Sequence, residues 1–241
     1  MADSGPSVAS RKASQPHPLR HIVQVLAGFY GRPEPPAVRD PFEQILWENL
    51  AYLASDERRA EAWKRFKKEV GTKPADVLAA SRSTLMEIGR AGIVPAGSAN
   101  KLVESATIAV EEFGGTLKPI LKLPLKEARK ALRKFPSIGE PGAEKILLLA
   151  GSHPVLGLDS NGLRPLLRLG FGKEDKNYSK TYRSVQEALA PGLSTDVAFL
   201  TEAHQLLRRH GQELCKTNHP RCEPCPLKKE CAYYRAHSAL S

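Results

Sequence analysis

Apolar residues recur at helical spacing through most of the chain. Leu19, Ile22, Val23, Val25, Leu26 and Phe29 share one face of a segment that stops at Gly31, where Pro33, Pro35 and Pro36 enforce a loop. Asp40-Pro41 then reads as an N-cap followed by the first helical residue, whose missing N–H would be unpaired there anyway. Phe42, Ile45, Leu46, Leu50 and Leu53 make the next stripe. Further helices are predicted at about 56–70, 74–79, 83–90, 96–113 and 125–134, parted by loops at Gly71, Gly92 to Pro95 and Gly114-Gly115. A strongly apolar helix opens at Pro141, and another runs over about 162–169, with Pro165 in its first turn and Gly170-Phe171-Gly172 at its end. Residues 173–180 read as a charged loop, and 181–190 and 196–211 as helices. Nothing alternates with the period of a strand and nothing repeats, so the pattern predicts an all-α fold. The Ser-, Ala- and Pro-rich residues 1–17 read as a disordered tail.

Composition narrows the class. With 241 residues the chain is long enough for two small domains or one large one. Its 36 Lys and Arg against 26 Asp and Glu leave a formal charge of +10, which favours a polyanionic partner, nucleic acid first. No run of eighteen apolar residues is present to span a membrane, and the first eighteen residues lack the apolar stretch of a secretory signal. A soluble intracellular protein is expected, in the cytoplasm or nucleoid if the source is bacterial.

All four cysteines, Cys215, Cys222, Cys225 and Cys231, fall in one stretch with the spacing C-x6-C-x2-C-x5-C. Four thiolates held together need a cation to relieve their repulsion. A single zinc and a cubane iron–sulfur cluster both use such a set, although four-cysteine zinc sites usually come as two C-x2-C knuckles. Two disulfides suit short secreted chains better than this one.

Two further stretches carry candidate chemistry. In Leu132 to Gly151 a helix ends, a tight turn runs through Pro136-Ser137-Ile138-Gly139, and a new helix begins. This is either an ordinary helical hairpin or a helix-hairpin-helix whose turn N–H groups, around Ile138 and Gly139, face a DNA phosphate. In Leu158-Asp159-Ser160-Asn161, Asp159 is most simply an N-cap.

Taken together, hairpin, aspartate and cysteine loop resemble the endonuclease III-like, helix-hairpin-helix (HhH-GPD) DNA glycosylases with a C-terminal iron–sulfur loop, over roughly residues 19–235. The resemblance implies a two-domain fold with a DNA cleft between the domains. A six-helix barrel domain would span 41–154 and include the hairpin at about 125–150. An iron–sulfur domain would combine 18–40 with 155–235. It also implies a 4Fe-4S cluster on the four cysteines, zinc being the alternative. Asp159 would be the essential aspartate. Lys216, Arg221, Lys228 and Lys229 would be DNA-contacting cations of the cluster loop, and Leu53 would stand in the slot of a DNA-inserting glutamine, as an apolar wedge or as a core leucine.

The turn departs from the family pattern. Ser137 replaces a glycine, Glu140 stands where a basic residue is common, and Pro141 occupies the slot of the lysine that makes bifunctional members lyases. Proline offers no amine for a Schiff base. Lys145, one turn further on, is the other amine to consider. Leu158-Asp159-Ser160-Asn161 also resembles the L-D-G-N signature of the A/G-mismatch adenine glycosylases, in which Glu48 would match the catalytic glutamate. The likeness stops at the cysteine loop, so the opposite-base specificity of that branch is not carried over.

The expected activity is therefore monofunctional. A damaged or mispaired base, flipped from double-stranded DNA, would be released by hydrolysis. Asp159 would stabilise the sugar cation and activate water, Glu48 would protonate the departing base if burial raised its pKa, and Asn161 would position the water or the carboxylate. The alternatives are a glycosylase–lyase and a DNA-binding relative with little glycosylase activity. A monomer is expected.

Overall fold

The computed structural model describes residues 18–238, and the tail expected over 1–17 lies outside them. The described residues form α-helices and short 3-10 turns, without a strand. Helix α1 is Leu19–Tyr30; α2 Pro41–Leu50; α3 Asp56–Glu69; α4 Pro74–Ala79; α5 Arg82–Gly89; α6 Pro95–Phe113; α7 Leu125–Leu132; and α8 Glu140–Leu149. After a short extended link come α9 Ser160–Leu169, α10 Tyr178–Leu189, α11 Val197–Glu213 and α12 Ala232–Ser238. No helix among them is long and apolar enough to cross a membrane.

Local chemistry sets most of the helix starts. Asp40 accepts from the N–H groups of Phe42 and Glu43, Ser55 from Arg58, Ser81 from Thr84, Asp159 from Gly162 and Asp196 from Ala198 and Phe199. Each cap satisfies donors that the first helical turn leaves unpaired. Asn177 caps α10 in the same way, so the helix begins at Tyr178, inside the stretch that reads as a loop to residue 180. The charges of that stretch mask a start that the asparagine controls. The helix expected to reach 134 ends at Leu132, because the chain must turn before Pro136. Helix α12, beyond the last cysteine, has no counterpart in the sequence reading.

Packing falls into two groups. Helix α6 takes α2, α4 and α5 against it, while α11 takes α9 and α1. Helix α8 touches both α2 and α11, so the hairpin lies between the groups. The apolar stripes meet in one continuous core, from Ile22 and Leu26 through Phe66 and Leu102 to Leu166 and Leu207. Two contacts need glycine because backbones meet there. A Cβ at Gly211 would lie 2.0 Å from Asn161 O, and one at Gly157 would lie 2.2 Å from Lys145 N. They let α11 press on the start of α9 and the 155–158 link press on α8.

Candidate active-site cleft and cysteine loop

Between the two groups opens a cleft of about 930 Å³, lined among others by Gln44, Glu48, Leu53, Lys145, Asp159, Asn161, His204 and Arg208. One wall is α2 with α8, and the other is α9 with α11.

Asp159 sits at the N-terminus of α9, with both carboxylate oxygens engaged. Gly162 N–H donates to Oδ1 (2.9 Å), and Arg208 Nε donates to Oδ2 (2.9 Å). Burial alone would raise this carboxyl. Arg208, the Gly162 N–H and Lys145 together outweigh burial and hold it below the usual aspartate range. The aspartate is therefore an anion at neutral pH. His204 lies beside it, fully buried, with its pKa pushed down to about 4 by desolvation, so its imidazole is neutral. Its Nδ1 donates to Gly157 O at 2.6 Å, the only role open to it because a carbonyl can only accept.

Arg208 does more than hold Asp159. Its Nη1 and Nη2 donate to the two oxygens of Asp56, each at 2.7 Å, and Gln212 Nε2 joins the same carboxylate at 3.2 Å. Asp56 opens α3, three residues after Leu53. That leucine is 68 % exposed with φ +57°, a conformation an L side chain rarely adopts. It stands out from the chain at the cleft's edge and takes no part in the core. Arg208 is thus a strut from α11 to the loop that presents Leu53, with Asp159 attached to its third nitrogen.

On the other wall, Glu48 and Lys145 form an ion pair of 2.7 Å, and Lys145 is only 14 % exposed. Glu48, 26 % exposed, is accordingly paired with the Lys145 side chain on the cleft wall. The pairing also brings Lys145 into the cleft, an orientation its place in the Ala143–Leu149 run does not announce.

The hairpin turn is pinned by Asn49, whose Nδ2 donates to Pro136 O (3.1 Å) and to Ile45 O (3.0 Å). Ser137 takes the glycine-like conformation, φ +65°, and lines the cleft. Ile138 is buried and its N–H donates to Phe135 O (3.2 Å), so the turn uses that donor internally. Gly139 caps α8, and Pro141 lies in the first turn of that helix.

Behind Asp159, Asn161 Oδ1 accepts from Arg164 Nη2 (2.9 Å). Arg164 also donates to Gly211 O (2.7 Å) and Cys215 O (2.6 Å), which joins the first turn of α9 to the cysteine loop. Arg168, one turn on, donates to Cys215 Sγ (3.3 Å), Lys216 O (2.8 Å) and Thr217 O (3.2 Å). All four cysteines are free thiols and line one small cavity, about 30 Å³, closed by Leu169, Leu214 and Leu227.

Burial pushes the Cys225 thiol up to about 11 and raises Cys215 and Cys222, so without a cation these three are neutral, inert thiols. Four sulfurs around an apolar cavity, with an arginine N–H on one of them, fit a thiolate-bound group. Among the described residues no three His, Cys, Asp or Glu side chains meet as a single-ion site. Lys216, Arg221 and Lys229 are exposed on the loop, while Lys228 is held by Glu223 at 2.5 Å and is not a free cation.

No family model matches the chain. The chain is similar to endonuclease III of Thermotoga maritima, 28% identical over 196 residues, 81% of this chain and 84% of that protein. Endonuclease III of Rickettsia conorii is 34% identical over 105 residues, covering 44% of this chain and about half, 47%, of the relative. Among solved structures, a trapped endonuclease III–DNA covalent intermediate superposes with a TM-score of 0.72 at 20% identity, over 91% of this chain and 97% of that one. A thermostable thymine-DNA glycosylase gives the same TM-score at 21% identity, over 90% and 97%.

Proposed function

The chain belongs to the endonuclease III-like, helix-hairpin-helix superfamily of DNA glycosylases, and from that premise we propose that it is a monofunctional base-excision glycosylase. Its substrate is double-stranded DNA with one damaged or mispaired base turned out into the cleft, and it acts as a monomer. Helices α2–α8 form one domain, and α1 with α9–α12 forms the other. The observation that carries the reading is Asp159, a carboxylate kept ionised at the mouth of a polar cleft.

In the reaction a water oxygen bonds to the sugar C1′ as the C1′–N bond breaks, and the base departs with the electron pair. Asp159 stabilises the positive charge that develops on the sugar and takes the proton from water. The proton for the leaving base comes from the Lys145–Glu48 pair, which faces the same space. Asn161, steadied by Arg164, orients the water or the carboxylate. Leu53 is the wedge that enters the base stack. The backbone donors at Gly139 and Glu140, next to Ser137, take a phosphate, and Lys216 and Arg221 take others.

Endonuclease III-family proteins generally carry a 4Fe-4S cluster. Here Cys215, Cys222, Cys225 and Cys231 would hold it, with Arg168 donating to one sulfur. When bound, such a group would tie the loop together through its bonds to the four thiolates and leave bond chemistry to the cleft.

One observation favours a second reading, a glycosylase–lyase: Lys145 is an amine in the cleft with a carboxylate at hydrogen-bond distance. Its engagement with Glu48 weighs against that role, since the amine would have to leave this partner to reach the sugar. Strand scission on duplexes carrying uracil, oxidised pyrimidine, hypoxanthine, alkylated purine or A opposite oxidised G separates the two. Cleavage that appears only after hot alkali is expected. Cleavage without alkali would replace the monofunctional reading with a lyase, and silence across the panel with DNA still bound would leave a binding protein.

A further inference from the structure

One buried ring outside the cleft reaches the cysteine loop. His210, near the end of α11, is 2 % exposed. Its Nε2 lies 3.6 Å from Cys225 Sγ, and its Nδ1 lies 3.0 Å from the Tyr30 hydroxyl. The same residue holds the start of the loop through its backbone, since His210 O accepts from the N–H groups of Leu214 (3.0 Å) and Cys215 (2.8 Å). Cys215 and Cys225 are thus both held by one residue of α11, the first through main chain and the second through the ring.

The chemistry of the sulfur decides the direction of the ring contact. A cysteine bound to metal has lost its proton and can only accept, so the bridging hydrogen belongs to His210 Nε2. That leaves Nδ1 to Tyr30, the last residue of α1, whose own place is set by Arg209. Arg209 Nη1 donates to Tyr30 O (3.1 Å), and its guanidinium lies 4.7 Å from the centre of the tyrosine ring. Both imidazole nitrogens are engaged, and turning the ring over would break both contacts. Arg168 also donates to a loop sulfur, that of Cys215, but it carries a charge and holds two loop carbonyls besides. Among the described residues the ring nitrogens of His210 meet only Tyr30 and Cys225.

We propose that His210 is a positioning residue for the iron–sulfur cluster: held by Tyr30, it donates an N–H to Cys225 and thereby favours the cluster's reduced state. The warrant is electrostatic. An added electron increases the negative charge on the thiolate sulfurs, and a donor already aimed at one of them binds more strongly as that charge grows. Hydrogen bonds to the sulfurs are among the factors that set the potential of such clusters. The inference rests on the cluster reading of the four cysteines, and its test does not depend on base release.

The test is the midpoint potential of the full-length, iron-loaded protein at an electrode, which supplies and removes the electron. His210→Leu removes the donor at similar bulk. The equilibrium is expected to move about tenfold toward the oxidised cluster, a fall of about 59 mV for one electron. His210→Gln, whose amide N–H reaches toward the place of Nε2, should keep the parental value. Tyr30→Phe should lower the potential by less than His210→Leu does, because the donor stays while its aim loosens. A parental potential in His210→Leu, or equal shifts in the Leu and Gln variants, would overturn the inference. Should His210→Leu fail to hold its iron, the parent and His210→Gln decide. With 15N-histidine incorporated, pulsed electron paramagnetic resonance of the paramagnetic cluster should show a coupled imidazole nitrogen that disappears in His210→Gln. A signal without that nitrogen, or one unchanged by the substitution, would overturn the inference. Failure of the cluster reading looks different: the purified protein would contain zinc in place of iron, and the inference would fall with it.

Discussion

Asp159 has both of its oxygens engaged, by Gly162 N–H and by Arg208, whereas Gln44 on the opposite wall of the cleft has an oxygen that meets no donor among the described residues. The contrast extends outward. Around Asp159, the α9–α11 wall is a closed network of Arg208, Asp56, Gln212, Arg164 and Asn161, and His204 beside it is neutral and already spent on Gly157. The α2–α8 wall holds one ion pair and two unmatched amide oxygens, those of Gln44 and Asn49. A closed network fixes a group in place before the substrate arrives, as a carboxylate that must meet a developing charge requires. An open one is completed by whatever binds. The two walls thus differ in how far their polar groups are already satisfied within the protein.

The comparison can be broken most severely from behind. Gly211→Ala sets a methyl group where Asn161 O stands 2.0 Å away, so α11 must withdraw from α9. A loss of about 3 kcal/mol is expected in chemical denaturation, at the upper end of overpacking costs. A change under about 1 kcal/mol would mean that the two helices are not locked as described. Gly157→Ala, 2.2 Å from Lys145 N, is the matching lesion on the α2–α8 wall.

Arg208→Met tests the charge network alone. Arg208 is the leading cause that keeps Asp159 low against its burial. In the intact protein, the Asp159 carboxylate stabilises the fold above its unfolded pKa of about 3.9, and that contribution is lost as pH falls through the lower folded value. Without Arg208, burial dominates and the folded pKa rises, so the ionised carboxylate now destabilises the fold near neutrality and the side chain takes up its proton at higher pH. The acid limb of base release should therefore move toward neutrality. Superimposable limbs for variant and parent would show that Asp159 does not depend on the strut.

These effects also mark what could be read from the chain. Helix periodicity, the caps at Asp40 and Asp159 and the four clustered cysteines are local signals, and each describes residues within a few positions of one another. Arg208 and Asp56 are 152 positions apart, and α11 offers Arg208 and Arg209 side by side. Only packing decides that the first crosses the cleft while the second pairs with Glu213 on its own helix. Gln44 had a faint signal, lying between Phe42 and Ile45 of the apolar stripe, and Lys145 a clearer one before Ile146 to Leu149. A polar residue in an apolar run promises a partner or a ligand, but the pattern does not say which. Leu53 completes an apolar stripe on paper yet stands in solvent, because the helix ends at Leu50 and the chain has already turned.

The central claim is that Asp159 performs base release and does not merely hold α9 together. The direct measurement is single-turnover base release by Asp159→Asn, developed with alkali, alongside its affinity for the same duplex. Asparagine caps a helix as well as aspartate does, so the fold should hold. The expected result is a rate lower by about a thousandfold or more, with affinity changed less than about threefold. Parental release by the variant, or a parallel loss of rate and binding, would contradict the account.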